Sequence, residues 1–205
     1  MTATPAPPAP PSLFVAGHPA LEFLNSAYAP GGQLIETIGD GRALLDWMTV
    51  AKLISEAEAA TLARRFGRKA LDATAVEARI VREWARTWLT AWRASPGRDY
   101  RGEITVLNKL LARETRGREL IAVKNQLQLL ERLRFADASA LLAPIAGEIA
   151  RLVAHEDPAL IKSCAGSDCT LWFLDRTKAH RRLFCSATAC GNRAKVAAFR
   201  ARQRE

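Results

Sequence analysis

The sequence predicts a mainly α-helical chain with one small β-hairpin element, closed by a compact C-terminal four-cysteine module built as a hairpin followed by a helix. Three observations carry this expectation. Helix-start signatures recur at Asp40, at Ser55 with Glu58, and at Thr74 with Glu77, each ahead of an apolar periodic run. A stretch of short apolar alternations surrounds a Lys-Asn-Gln turn near residue 125. All four cysteines of the 205-residue chain fall between Cys164 and Cys190. With 49% apolar residues, the chain has enough material for a packed core and for one large domain or one medium domain plus a small one.

The N-terminal MTATPAPPAPPS holds five of the ten prolines and reads as a disordered lead. It has no basic n-region and no apolar h-region, so a secretory signal is not expected. LFVAGHPALEFLNSA follows as a short apolar segment with a Gly-His-Pro turn, and GGQLIET as a candidate strand. Asp40 caps a helix to about Val50, and the Ser55 capping box opens one to about Phe66. Thr74 and Glu77 repeat the device for a long helix to about Ala94, stopped by Ser-Pro-Gly. A further helix is expected over about 103–114. RELIAVKNQLQLLERLRF is read as a β-hairpin. Asp137 starts a helix to His155, with Pro144 implying a kink or a late start. Asp157-Pro158 sets up a short helical turn leading into Cys164.

The cysteines read C-x4-C, fifteen residues, C-x4-C: Cys164, Cys169, Cys185, Cys190. Two thiolate pairs separated by a hairpin-length insert are the way a chain builds a tetrahedral site for one structural zinc. Two disulfides are the rival, which would need an oxidising compartment. Four ordinary buried thiols are the third reading, and they would not cluster this way. Within the module TLWFLD reads as a strand, DRTK as the turn and HRRLFC as the return strand. Cys185 and Cys190 are five apart, about 140° of helical rotation, so one continuous helix cannot aim both at one metal. Cys190 is therefore expected at the start of the final helix, GNRAKVAAFRARQR, with Val196 and Phe199 turned inward.

Charge is unevenly spread. The chain carries a net +9. From Lys162 onward there are ten Lys/Arg against three Asp/Glu, whereas the first 161 residues carry twenty against eighteen. A basic pole of this kind suits a phosphate partner. No apolar run approaches the roughly 18 residues of a membrane span, and a reduced cytoplasm suits a thiolate site. There is no Gly-rich phosphate loop, no His-Glu-x-x-His and no Gly-x-Ser-x-Gly, so an enzyme is not expected. Four sulfurs on one zinc also leave no position open for a reacting water.

Cys190-Gly-Asn-Arg193, with the upstream cysteine pair, the aromatic-rich WFLDRT and the basic flanks, resembles the CGNR zinc-finger family. That family often carries Trp just before the third cysteine; here Phe184 keeps an aromatic. GHPALEFLNS and GDGRALLDWM resemble the opening motifs of the helical ABATE-type domain that accompanies this finger. The resemblance covers nearly the whole chain beyond the lead: 1–12 lead, 13–160 ABATE-type sensor domain, 161–205 finger. It implies a stress-linked bacterial transcription regulator, with the finger contacting DNA and the helical domain sensing a ligand. A protein-interaction or RNA-binding module is the alternative, and an enzyme in the helical domain a further one.

Arg181, Arg182, Arg193, Lys195, Arg200, Arg202 and Arg204 are the candidate nucleic-acid contacts. Most such contacts go to phosphates and set register. Arg193 serves equally well as a residue tying the finger together beside its ligand. Trp84, Trp88 and Trp92 recur at i+4 after Ile80, a core stripe first and an aromatic pocket second. His18, Glu22 and Asn25 are polar groups in an apolar segment, candidate ligand contacts or satisfied turn residues. A single finger is a small interface, roughly 600–1,000 Å2, so specific DNA binding points to a homodimer.

Overall fold

A computed structural model describes residues 14–29, 33–124 and 126–203. The proline lead, Gly31-Gly32, Asn125 and Arg204 lie outside the described residues. The element order is α1 (Pro19–Leu24), β1 (Ala27–Tyr28), β2 (Ile35–Glu36), α2 (Gly41–Val50), α3 (Glu56–Ala94), α4 (Arg101–Leu111), β3 (Glu114–Val123), β4 (Gln126–Phe135), α5 (Leu142–His155), β5 (Ile161–Ser163), β6 (Trp172–Leu174) and α6 (Asn192–Arg202). The strands form three antiparallel pairs, β1–β2, β3–β4 and β5–β6. The fold is thus mainly helical with small hairpins, and a hairpin then a helix follow at the C-terminal end.

Local chemistry sets most helix starts. The Asp40 carboxylate accepts from Ala43 N at 2.9 Å. Ser55 and Glu58 form the full capping box, a device worth about 1 kcal/mol. Asp137 caps a 3-10 turn over Ala138–Leu141, after which α5 begins at Leu142. Pro144 therefore sits in the first turn of α5, the late start its missing N–H permits. The apolar segment with the Gly-His-Pro turn becomes α1, capped by His18 with Pro19 at its first position.

Thr74 does not open a helix. The chain breaks at Gly67, with φ 72° and ψ 165°, and α3 resumes at once beyond it. Only glycine enters that conformation without strain. Thr74 instead lies mid-helix and buried, its hydroxyl bonded back to the Ala70 carbonyl at 3.0 Å. Where α2 crosses α3, Gly41 lies against Leu71 so closely that a Cβ would overlap it.

The core is built around α1, whose Leu21, Phe23 and Leu24 are fully buried among α3, α5 and β6. Three arginines of α3 serve this framework. Arg82 is buried and makes a two-pronged ion pair with Glu36, at 2.8 and 2.6 Å. Arg79 donates to the carbonyls of Ile38 and Gly39, and Arg86 to those of Leu24 and Ala27. Along the tryptophan stripe Ile80 is exposed, Trp84 and Trp92 are half-buried and Trp88 is buried. The finger is not a separate bead: Ile161, Trp172 and Leu174 belong to the same apolar core as α1 and α5.

Two expectations for the finger are corrected. HRRLFC is not the return strand; β6 pairs instead with β5, in the register Ile161↔Leu174, Lys162↔Phe173, Ser163↔Trp172. His180, at φ 49°, is in the left-handed region and cannot continue a strand. Val196 and Phe199 do not turn inward: they are 47% and 54% exposed, and α6 buries no residue. Among the described residues α6 packs closely only on the Ala187–Gly191 turn that carries the fourth cysteine.

Candidate metal centre and nucleic-acid interface

The β5–β6 hairpin presents the first cysteine pair. Cys164 follows β5 and its N–H reaches the Leu171 carbonyl at 2.9 Å, while Cys169 N–H closes a tight turn onto Gly166 O at 3.1 Å. Ala165 N–H donates to Leu183 O at 2.8 Å, which draws in the segment bearing Cys185. Cys190 sits in a wide turn over Ala187–Gly191, capped by Ser186, whose Oγ accepts from Ala189 N at 3.2 Å. The break ahead of α6 is what lets both sulfurs of the second pair face one point.

All four sulfurs lie within 4.8 Å of one another. Cys169 and Cys185 Sγ are 3.8 Å apart, and Cys185 and Cys190 Sγ 3.5 Å. A tetrahedron of Zn–S bonds near 2.3 Å places sulfurs about 3.8 Å apart, so the cluster fits. The separations are far longer than a disulfide bond of about 2.05 Å. Backbone N–H groups aim at the sulfur of Cys164, from Cys185 at 3.3 Å and Gly166 at 3.5 Å, and these stabilise a thiolate. Burial, aggravated by neighbouring sulfurs, pushes the Cys169 thiol up to about 11 and Cys185 higher still. Four thiolates this close repel one another unless a cation lies between them. The site holds one structural zinc, with no position left for a reacting water.

A second layer fixes these loops. Asp175 is wholly buried. It accepts from Lys162 Nζ at 2.7 Å, Thr177 N at 3.0 Å, Thr177 Oγ1 at 2.6 Å and Arg182 N at 2.9 Å. Burial alone would raise its pKa, but these donors outweigh it and hold the carboxyl well below the usual range. The Arg182 guanidinium lies over the Phe173 ring at 4.2 Å. It donates to Phe184 O at 2.9 Å, to Val15 O at 3.1 Å and to Cys185 O. Arg193 Nη2 donates to Cys190 Sγ at 2.9 Å, the tying role weighed for it above.

The remaining basic candidates lie outside. Arg181, Lys195, Arg200 and Arg202 are exposed, and among the described residues no carboxylate pairs with them. Along α6, Arg193, Val196 and Arg200 line one side of a shallow recess of about 450 Å3 with Thr188 and Asn192. Lys195, Phe199 and Arg202 follow at helical spacing on another side. Arg182 belongs to the finger's interior contacts, apart from this face.

The five residues named as ligand contacts serve packing and capping. His18 Nδ1 accepts from Ala20 N at 3.1 Å, and burial lowers its pKa. Glu22 accepts from the backbone of Ala16 at 2.6 Å and of Val15 and Gly17 at 3.2 Å; burial pushes its carboxyl up to about 7. Asn25 bonds the backbone of Trp172 in the finger. Trp84 stacks obliquely on Trp88 at 5.4 Å, and Trp88 meets Tyr100 at 6.5 Å. A groove of about 440 Å3 opens elsewhere, between α5 and the base of β3, over Leu53 and Pro144; Lys52, His155 and the ion pairs Arg116–Glu114 and Arg151–Glu148 edge it. Sequence reasoning missed this groove and also Asp175 with Lys162. Asp175 stands inside the quoted WFLDRT, but nothing in its spacing marks a buried acid.

The family model named ABATE, described as "Putative stress-induced transcription regulator", matches residues 17–156, and the CGNR zinc-finger model matches residues 161–203. No curated protein matches the chain significantly.

Proposed function

Because the chain belongs to the ABATE family and ends in a CGNR zinc finger, we propose that it regulates transcription in the cytoplasm, its finger holding duplex DNA and its helical body sensing a small ligand or stress signal. The observation that carries the DNA arm is α6: a basic helix with no buried residue, launched from a metal-fixed turn, its Lys195, Arg200 and Arg202 free of carboxylate partners among the described residues. Free cations on a rigid mount suit phosphates. Arg79, Arg82 and Arg86 of the helical body have no such freedom, being spent on carbonyls and Glu36. The protein acts by binding, and two copies on one duplex supply the specificity a single small finger lacks.

The sensing arm falls to the groove beside α5. Lys52 and His155 over an apolar floor suit a small anion with an apolar body, while Arg116 and Arg151 on the rim are paired with Glu114 and Glu148. Lys52 stands at φ 59°, where glycine is usual. Exposed Phe199 and Val196 favour one second reading, a finger that stacks on unpaired bases of RNA or docks on a protein.

Fluorescence anisotropy of the zinc-loaded protein against duplex DNA and single-stranded RNA tests the first arm. Duplex is expected to bind more tightly, with affinity falling as salt rises. Binding that survives deletion from Lys162 onward overturns the reading. Thermal shifts across small carboxylates and phosphates, repeated with Lys52→Ala, test the groove.

A further inference from the structure

Strands β3 and β4 pair over ten residues each, from Glu114↔Phe135 at the base to Val123↔Gln126 at the tip. Phe135 is buried and roots the ribbon in the core. Beyond it the ribbon stands alone: among the described residues no third strand joins either edge. Leu120, Leu127 and Leu129 are 63%, 72% and 63% exposed. They lie on one face, because Leu120 opposes Leu129 and Ala122 opposes Leu127, and partners across an antiparallel pair share a face. Lys124, at φ 46°, makes the tight tip.

A lone two-stranded ribbon is marginal in water, and three exposed leucines on one face of it form a patch that soluble monomers rarely leave open. We propose that this face is a dimerisation arm, packed face to face on the same ribbon of a second copy of the chain. Four features point to self-association. The patch is apolar, so it does not suit DNA. It spans two levels, Leu120–Leu129 and Ala122–Leu127, and a two-fold axis between them sets each level of one copy on the other level of its partner, the self-matching an isologous contact requires. The free edges extend the contact beyond the face. The ribbon is also long enough: ten residues span roughly 34 Å, and covering one face and its edge removes on the order of 600–800 Å2 from each copy, the size of a stable interface. The proposal rests on the reading that two copies act together, and adds which surface joins them.

The test is sedimentation velocity of the full-length, zinc-loaded chain from about 1 to 100 μM. The expected species has twice the 22.5 kDa chain mass. Leu120→Glu with Leu129→Glu is expected to shift the dimer to monomer by at least tenfold in concentration, with helical circular dichroism and zinc content unchanged. Should the double variant misfold, Leu127→Glu near the tip gives the same readout with less disturbance. A wild-type monomer at 100 μM, a variant that dimerises as tightly as wild type, or a mass that climbs past two chains overturns the proposal. DNA anisotropy separates it from the functional reading: a dimer that ignores DNA removes the DNA arm and leaves the ribbon contact standing.

Discussion

The side-chain amide of Asn25 pairs with both main-chain groups of Trp172, donating Nδ2–H to its carbonyl at 2.8 Å and accepting its N–H at 2.9 Å. A residue of the helical body thus acts as one rung of a sheet beside β6. Leu174 N–H adds a second rung by donating to Ala16 O at 2.8 Å, and Arg93 lies over the Trp172 ring at 4.6 Å. These contacts hold β6 of the finger against the helical body.

Asn25→Ala is expected to destabilise the protein by about 2–4 kcal/mol, because it leaves two buried backbone groups unpaired. Urea unfolding followed by tryptophan fluorescence measures it. Asn25→Asp should cost at least as much, since a carboxylate would face the Trp172 carbonyl. A loss under about 0.5 kcal/mol, the range of an ordinary surface change, would show that the rung is dispensable.

Zinc content should be one per chain by elemental analysis of protein purified under reducing conditions without chelator. Cys185→Ser is expected to lose the metal and unfold the finger loops while most helical signal remains, because zinc supplies their folding free energy and the shared core is built mostly from α1 to α5, with only Ile161, Trp172 and Leu174 added from β5 and β6. Metal-free wild type under those conditions would refute the site.

Glu22 makes stability depend on pH. Its carboxyl stands at about 7 in the folded protein, chiefly through burial, against an ordinary value of 4.5. Between those values the native state binds more proton than the unfolded state, so its contribution is complete below about 4.5 and is lost as pH rises through about 7. Glu22→Gln stays neutral and should flatten the fall in melting temperature between pH 5 and 8. An unchanged pH profile would count against a raised Glu22.

Four to six phosphate contacts would give duplex affinity a log–log salt slope of about −0.9 per contact. Removing Arg200 and Arg202 together should flatten it by about two units and weaken all sequences alike. Arg193→Ala should do more, and its zinc content tells whether the loss comes through Cys190 or through DNA. A slope that does not move would place the contact off α6.

What the sequence determined by itself is whatever a few neighbouring residues decide. Asp40 and Ser55 reach N–H groups three residues on, so their helices start where the letters say. Four clustered thiols announce a metal, and the short apolar alternations around the Lys-Asn-Gln turn in 118–135 point to a hairpin, although Leu and Gln there suit a helix as well. The tertiary structure decided the rest. The Thr74–Glu77 spacing is a capping box only where a helix begins, and the break at Gly67 leaves it in mid-helix. Val196 and Phe199 have inward spacing, but a helix buries a face only when another element lies against it. HRRLFC looks like a strand, yet β5 holds the edge it would need, and His180 and Asp175 turn the chain aside. Asn25 and Trp172 are 147 residues apart, and Asp175 draws in Lys162 from 13 residues before it and Arg182 from 7 after it. No local pattern encodes such partners; they meet only when packing brings the finger onto α1.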